Sequence, residues 1–150
     1  LLKNLKLLNT YAGLIIPYIT FALPLSIWLL TNFFAQLPKG FEEAAAIDGC
    51  SRGKIFFTIM LPLIKPATFS VALIVFINAW NEYLYPYYIL QKPSKYTLVL
   101  LIRQFFGGAD SAQNMHGAAA AAVLCVLPLV VAYLCLQKYF IQGQVDSAVK

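Results

Sequence analysis

Glu82 is the one charged side chain between Lys65 and Lys92, and it stands inside Asn78-Ala79-Trp80-Asn81-Glu82-Tyr83-Leu84-Tyr85, a polar and aromatic island in an apolar stretch. Asn78, Asn81, Glu82 and Tyr85 fall at i, i+3, i+4 and i+7, a spacing that aligns four side chains along one face of a helix. Ionisable groups at membrane depth are costly and usually face a bundle interior or a watery cavity. Amides, a carboxylate and a phenol in a row would offer hydrogen bonds to a polar solute, and Trp80, Tyr83 or Tyr85 could stack on a sugar ring. A second reading stays open here. Glu82 lies sixteen residues beyond Pro66, roughly 24 Å at helical rise. That distance would carry its carboxylate to the far boundary of a membrane, with the neighbouring aromatics as an interfacial belt.

Other reactive groups are sparse. His116 has no second ligand near it in sequence and reads as a solvated loop histidine rather than a metal ligand. Cys50, Cys125 and Cys135 form neither a CxxC pair nor a disulfide framework, and the latter two sit in an apolar run where cysteine behaves as a small hydrophobe. Gly49-Cys50-Ser51-Arg52-Gly53-Lys54-Ile55 has the outline of a phosphate-binding loop. It is one residue short between its glycines, and Ile55 stands where a hydroxyl should hold magnesium. No catalytic residue, nucleotide site, cofactor or metal is assigned. An intramembrane enzyme would need convergent acid, base or metal groups, and this chain offers one membrane acid and one histidine.

The elements that must position these residues are membrane helices. Apolar residues make up 61% of the 150 and charged ones 11%, against about a quarter charged in soluble domains. No Asp, Glu, Lys or Arg occurs between Lys6 and Lys39, or between Asp110 and Lys138. Each such gap holds the ~20 apolar residues a helix needs to cross a bilayer. The runs are continuous rather than alternating, which excludes a transmembrane β-barrel. Spans are expected at about 11–34, 66–89 and 117–137, with Pro17 and Pro24 bending the first. Ala118 to Ala122 would let the third approach a neighbour closely. The net charge of +5 is spread through the loops, with no basic cluster for nucleic acid. Lysine and arginine number six on the side holding 35–65 and the tail, and five on the other, a bias too small to set orientation. The chain opens on Leu1 with no charged leader or cleavage site, so no signal peptide is read.

Between the first two apolar stretches lies a polar insert, residues 38–62. Glu43-Ala44-Ala45-Ala46-Ile47-Asp48 favours helix, with Pro38 suited to a first turn and Leu37, Phe41, Ala44 and Ala45 sharing a face. Gly49 is placed to end that helix in the left-handed conformation. Ser51 is placed to cap a second helix, on which Ile55, Phe56, Ile59 and Met60 form an apolar stripe and which Leu61-Pro62 should stop. Without further information this is an amphipathic pair resting on a membrane surface.

Glu43-Ala44-Ala45, then Gly49, then Ile59-x-Leu61-Pro62 makes seven specified positions in twenty residues. That pattern closely resembles the signature of inner-membrane permeases of ATP-binding-cassette (ABC) importers. The resemblance implies an all-α, polytopic helical membrane protein with the type I ABC importer permease fold, here as a carboxyl-terminal part of three spans plus the coupling helix. It implies that the insert is the cytoplasmic coupling helix, with Glu43, Ala44, Ala45, Asp48, Gly49 and Arg52 meeting an ATPase subunit that hydrolyses ATP. Ala79-Trp80-Asn81-Glu82-Tyr83 is similar to a stretch of carbohydrate-importing members, so the implied cargo is a sugar; the polar and aromatic residues Asn78, Trp80, Asn81, Glu82 and Tyr85 are the expected path residues. Expected partners are a second permease subunit, two ABC ATPase subunits, an extracytoplasmic sugar-binding protein and the lipid bilayer. The expected location is the bacterial or archaeal plasma membrane. The loop from Gly107 to Gly117 would reach the binding protein, and the tail after Gln142-Gly143 would point toward the ATPases. A permease for another small polar solute, or a membrane scaffold without transport, are the alternatives.

Overall fold

The computed structural model describes residues 3–38, 40–107 and 115–148, with side chains up to Arg103 and over 116–137. Helix α1 (Tyr11–Ala35) is capped by Thr10, whose Oγ1 accepts from the Gly13 N–H at 3.1 Å and donates to the Leu7 carbonyl at 2.7 Å. A Cβ on Gly13 would fall on the Leu7 carbonyl oxygen, so only glycine lets the entering chain fold against the first turn. Pro17 and Pro24 lie within the 25-residue helix, which is long and apolar enough to cross a bilayer.

The insert folds into α2 (Gly40–Ile47) and α3 (Arg52–Ile55). Gly49 takes φ 78°, its N–H donates to the Ala46 carbonyl, and the Cys50 N–H donates to that of Ala45, both at 3.1 Å. This is the paired-bond stop that a left-handed glycine permits at a helix end. Ser51 caps α3, accepting from the Lys54 N–H at 3.4 Å. Leu61-Pro62 does not stop the second helix. After Ile55 the chain passes through a π turn (Phe56–Met60) into α4 (Leu61–Leu63), and the Leu61 N–H reaches back to Phe56. Pro62 crowds the carbonyl four residues earlier, and a wider turn makes room for it. The stop is deferred to Ile64, where the axis bends by 69° into α5 (Lys65–Asn81).

A single helix over 66–89 is likewise replaced by two. Helix α5 is 17 residues long, about 26 Å at helical rise. Glu82 is extended (ψ 127°), and α6 (Leu84–Ile89) begins after Tyr83. A short 3-10 turn (Pro93–Lys95) leads to α7 (Leu98–Gly107) and then to α8 (Met115–Ala148), whose His116–Gln137 portion could span a bilayer. Helix α5 packs between α1 and α8, and α7 lies on α8. The long apolar side chains that α1 and α8 leave exposed, such as Ile19, Trp28, Leu124 and Val131, suit lipid or further helices rather than water. Of the expected binding-protein loop from Gly107 to Gly117, residues 108–114 lie outside the described residues, as do residues 149–150 of the tail.

At the end where α1 starts, Leu14, Ile89 and Leu90 form a buried cluster with Tyr18, Tyr85 and Tyr96 packed on it. Asn9 locks this end. Its φ is 57°, its N–H donates to the Ile89 carbonyl, its Oδ1 accepts from the N–H groups of Gln91 and Lys92, and its carbonyl accepts from Lys95 Nζ at 2.6 Å. Asparagine tolerates that backbone better than most residues. Asn9→Gly keeps the conformation and loses the side-chain bonds, at about 1 kcal/mol each. Asn9→Ala adds about 1 kcal/mol of backbone cost. Denaturant unfolding of the purified protein in lipid should rank wild type above Asn9→Gly above Asn9→Ala, and indistinguishable midpoints would remove Asn9 as the lock.

Candidate functional site

Two places carry function-bearing residues, one beside the middle of α1 and one beyond its C-terminal end. The first is a cleft of about 550 Å³ between α1 and α5, walled by Tyr18, Phe21 and Ala22 on one side and by Asn78, Ala79, Glu82 and Tyr85 on the other. That volume falls within the range of small-molecule sites. The helical break builds it. Because α5 stops at Asn81, Glu82 is not part of the helical stripe read from the sequence. Its Oε1 accepts from the N–H of Leu84 at 2.7 Å and of Tyr85 at 3.4 Å, capping α6 and turning the chain. Tyr85 then sits over Phe21 with ring centroids 5.5 Å apart, which closes one side of the cleft with aromatic surface.

Asn78, Glu82 and Tyr85 are thus brought together on the cleft, and Trp80 and Asn81 are not among its lining residues. Trp80 turns to α8, where Nε1 donates to the Cys125 carbonyl at 3.1 Å, and its ring lies 5.6 Å from that of Phe76. Asn81 donates back to the Ile77 carbonyl at 3.0 Å. Tyr83, the other stacking candidate, is covered by the Arg103 guanidinium 4.6 Å above its ring. Sequence reasoning missed Tyr18, which reads as one more aromatic in an apolar span. Its only signal is the contact of α1 with α5 and α6, which spacing along one helix does not reveal.

The second place is the corner between α2 and α3. These helices pack together, with Ala45 and Ile55 the buried residue of each. Glu43, Ala44, Asp48, Gly49 and Arg52 are exposed, whereas Ala45 serves the packing within the corner. Ile47, outside the expected apolar face, is 86% exposed at the end of α2. At this corner Ile47 stands exposed, as do Glu43, Asp48 and Arg52.

The chain resembles known proteins over nearly its whole length. The family described as "Binding-protein-dependent transport system inner membrane component" matches residues 2–145. The trehalose/maltose transport system permease protein MalG of Thermococcus litoralis is 41% identical over 155 residues, covering 99% of this chain and 53% of that protein. The melibiose/raffinose/stachyose import permease protein MelC of Bacillus subtilis is 41% identical over 145 residues, covering 96% and 52%. Among solved structures, a bacterial ABC transporter involved in the import of the acidic polysaccharide alginate matches with a TM-score of 0.70 and 26% identity, over 93% of this chain and 53% of that one. The chain spans about half the length of the curated relatives it matches.

The cap on α6 separates shape from charge at Glu82. Glu82→Gln keeps an oxygen that can accept from Leu84 and Tyr85, and Glu82→Ala does not. The alanine variant should lose about 1 kcal/mol of local stability, so amide exchange at Leu84 and Tyr85 should speed up about fivefold. The glutamine variant should exchange like wild type. Unchanged exchange in Glu82→Ala would mean that the break is held by something else.

Proposed function

The chain belongs to the family of binding-protein-dependent transport system inner membrane components, and on that premise we propose that it is the permease part of an ATP-driven sugar importer. It is a multi-pass protein of the plasma membrane with the fold of an ABC importer permease. The observation that carries the reading is the α2–α3 corner: a reversal fixed by its own hydrogen bonds at Gly49 that leaves Ile47, Glu43, Asp48 and Arg52 exposed. A membrane surface would accept the isoleucine, but a socket on a soluble protein accepts the isoleucine and the charges together.

In this reading α1, the broken pair α5–α6 and the 116–137 part of α8 cross the bilayer, and the corner stands in the cytoplasm. Glu43, Ala44, Asp48, Gly49 and Arg52 meet an ATPase subunit, with Ala45 holding the corner's shape and Ile47 as an apolar anchor. ATP hydrolysis belongs to that separate subunit. Closure of two ATPase subunits moves the corner, and the π turn and the 69° bend pass the motion to α5. Helix α5 carries Asn78 and leads into Glu82, so the movement reshapes the cleft at the other end. The partners are a second permease subunit, two ATPase subunits and an extracytoplasmic sugar-binding protein. The cargoes in the names of the two permease relatives, trehalose and maltose for one and melibiose, raffinose and stachyose for the other, support a sugar. Amide, carboxylate and phenol groups would also suit another small polar solute, which is the second reading.

Gly49→Leu tests the lever. A branched side chain at φ 78° costs about 1–2 kcal/mol and occupies the corner's outer surface. In proteoliposomes holding the whole transporter, cargo-stimulated ATP hydrolysis and uptake should each fall at least tenfold. A cysteine replacing Ile47 should crosslink to the ATPase subunit. Normal uptake by Gly49→Leu together with absent crosslinks would overturn the coupling role.

A further inference from the structure

Resting on the reading in which motion at the α2–α3 corner reaches α5, we propose that Trp80 clasps the 116–125 part of α8 to α5, and that Pro128 is a hinge that leaves the 129–137 part free to swing. Trp80 is not among the residues that line the cleft, so its part in transport is one of positioning. Its Nε1 donates to the Cys125 carbonyl at 3.1 Å, and its ring is held beside that of Phe76 at 5.6 Å. The other hydroxyls and amides within the described spans bond back along their own helices, as Thr20, Thr68, Ser70 and Asn81 do. In hydrocarbon no water competes for the indole N–H, which can only donate.

The acceptor sits where α8 is weakest. Pro128 has no N–H, so the Leu124 carbonyl lacks the donor that regular winding would supply, and the proline ring crowds that same carbonyl. Sharp bends in long helices concentrate at such residues. Groups loosened by a proline within a membrane are met by neighbouring helices. The indole meets the next carbonyl along, on the side of Pro128 nearer the start of α8. A clasp on one side of a hinge fixes one half of the helix and leaves the other half to move.

Packing divides α8 in the same way. Ala118, Ala121 and Cys125 lie on its less exposed face, and Ala118 is buried. Small side chains at these positions let the neighbouring helix approach closely. No residue of 129–137 is buried. A second tie runs through α7, which lies on α8 and whose Arg103 covers Tyr83 at the α5–α6 break. A push on α5 therefore carries α7 and the 116–125 part of α8 with it.

The test uses the complete transporter with its binding protein in proteoliposomes, offered trehalose, maltose and melibiose. Cys50→Ser, Cys125→Ala and Cys135→Ala first remove the native thiols of this chain. The acceptor at position 125 is a backbone carbonyl, so Cys125→Ala keeps the clasp. Spin labels on cysteines introduced for Ile74 of α5 and for Val123 or Val131 of α8, all exposed, report the two halves separately. Between the nucleotide-free and ATP-trapped states the 74–123 distance should stay constant, and the 74–131 distance should shift by about 2 Å or more. Trp80→Phe keeps a ring beside Phe76 and drops the N–H. The 74–123 distance should then shift as well, and the sugar carried per ATP hydrolysed should fall about threefold. Loss of folded protein would lower uptake and hydrolysis together, and an unchanged ratio would overturn the clasp. Pro128→Ala returns a donor to the Leu124 carbonyl, so the 74–131 distance should stay constant and Trp80→Phe should no longer lower the ratio. In the wild type, equal shifts of both distances, or of neither, overturn the hinge. Crosslinking of Ile47→Cys to the ATPase subunit and ATP-driven uptake read the coupling role itself. If both are present without the selective shift, the clasp and hinge alone fall; if both are absent, the coupling role falls with them.

Discussion

In hydrocarbon a helix cannot stop without something to receive the backbone groups it releases. Glu82 meets the donor half of that demand, its side chain receiving N–H groups at the start of α6. One of its oxygens takes two amides of α6, which is what lets α5 end at Asn81 and the chain turn. Without the turn Tyr85 would not come over Phe21, and α1 and α5 would close on each other along apolar surface. The cleft is therefore a by-product of how a broken helix is kept satisfied. The residue that keeps it satisfied is also the one charge on the cleft wall.

The two ends of the molecule are fixed by different means. At one end, Asn9 binds four backbone and side-chain groups from residues 89–95, and Lys95 Nζ also sits 5.6 Å from the centre of the Tyr11 ring. At the other end the α2–α3 corner is fixed internally, by glycine and serine chemistry that needs no contact with the spans. What joins the ends is α5, entered through a sharp bend and left through a break. Motion applied at the corner has a defined route because the stiff parts are stiff for local reasons.

Local chemistry was legible in the sequence, and pairing across the molecule was not. Gly49 as a left-handed stop and Ser51 as a cap follow from what each residue can do with its own neighbours. Ala45 within the corner and the exposure of Ile47 depend on how two helices pack, which a face drawn for one helix misplaces. The polar stripe is interrupted for a related reason, although Asn78, Glu82 and Tyr85 still line one cleft. Periodicity assumes an unbroken helix, and Glu82 spends its carboxylate on ending one. Trp80 looked like a stacking residue because of its ring, yet its indole N–H fastens α5 to α8. Tyr18 gave no signal at all, since its significance comes from residues more than sixty positions away.

The π turn at Phe56–Met60 has a geometric meaning beyond accommodating Pro62. It holds one residue more than regular winding would use between the corner and the bend. Rewinding the same residues at ordinary pitch would rotate everything upstream by about 100° around the axis. The corner would keep its shape and its hydrogen bonds and simply point elsewhere. The width of this one turn thus works as a compass setting for the corner.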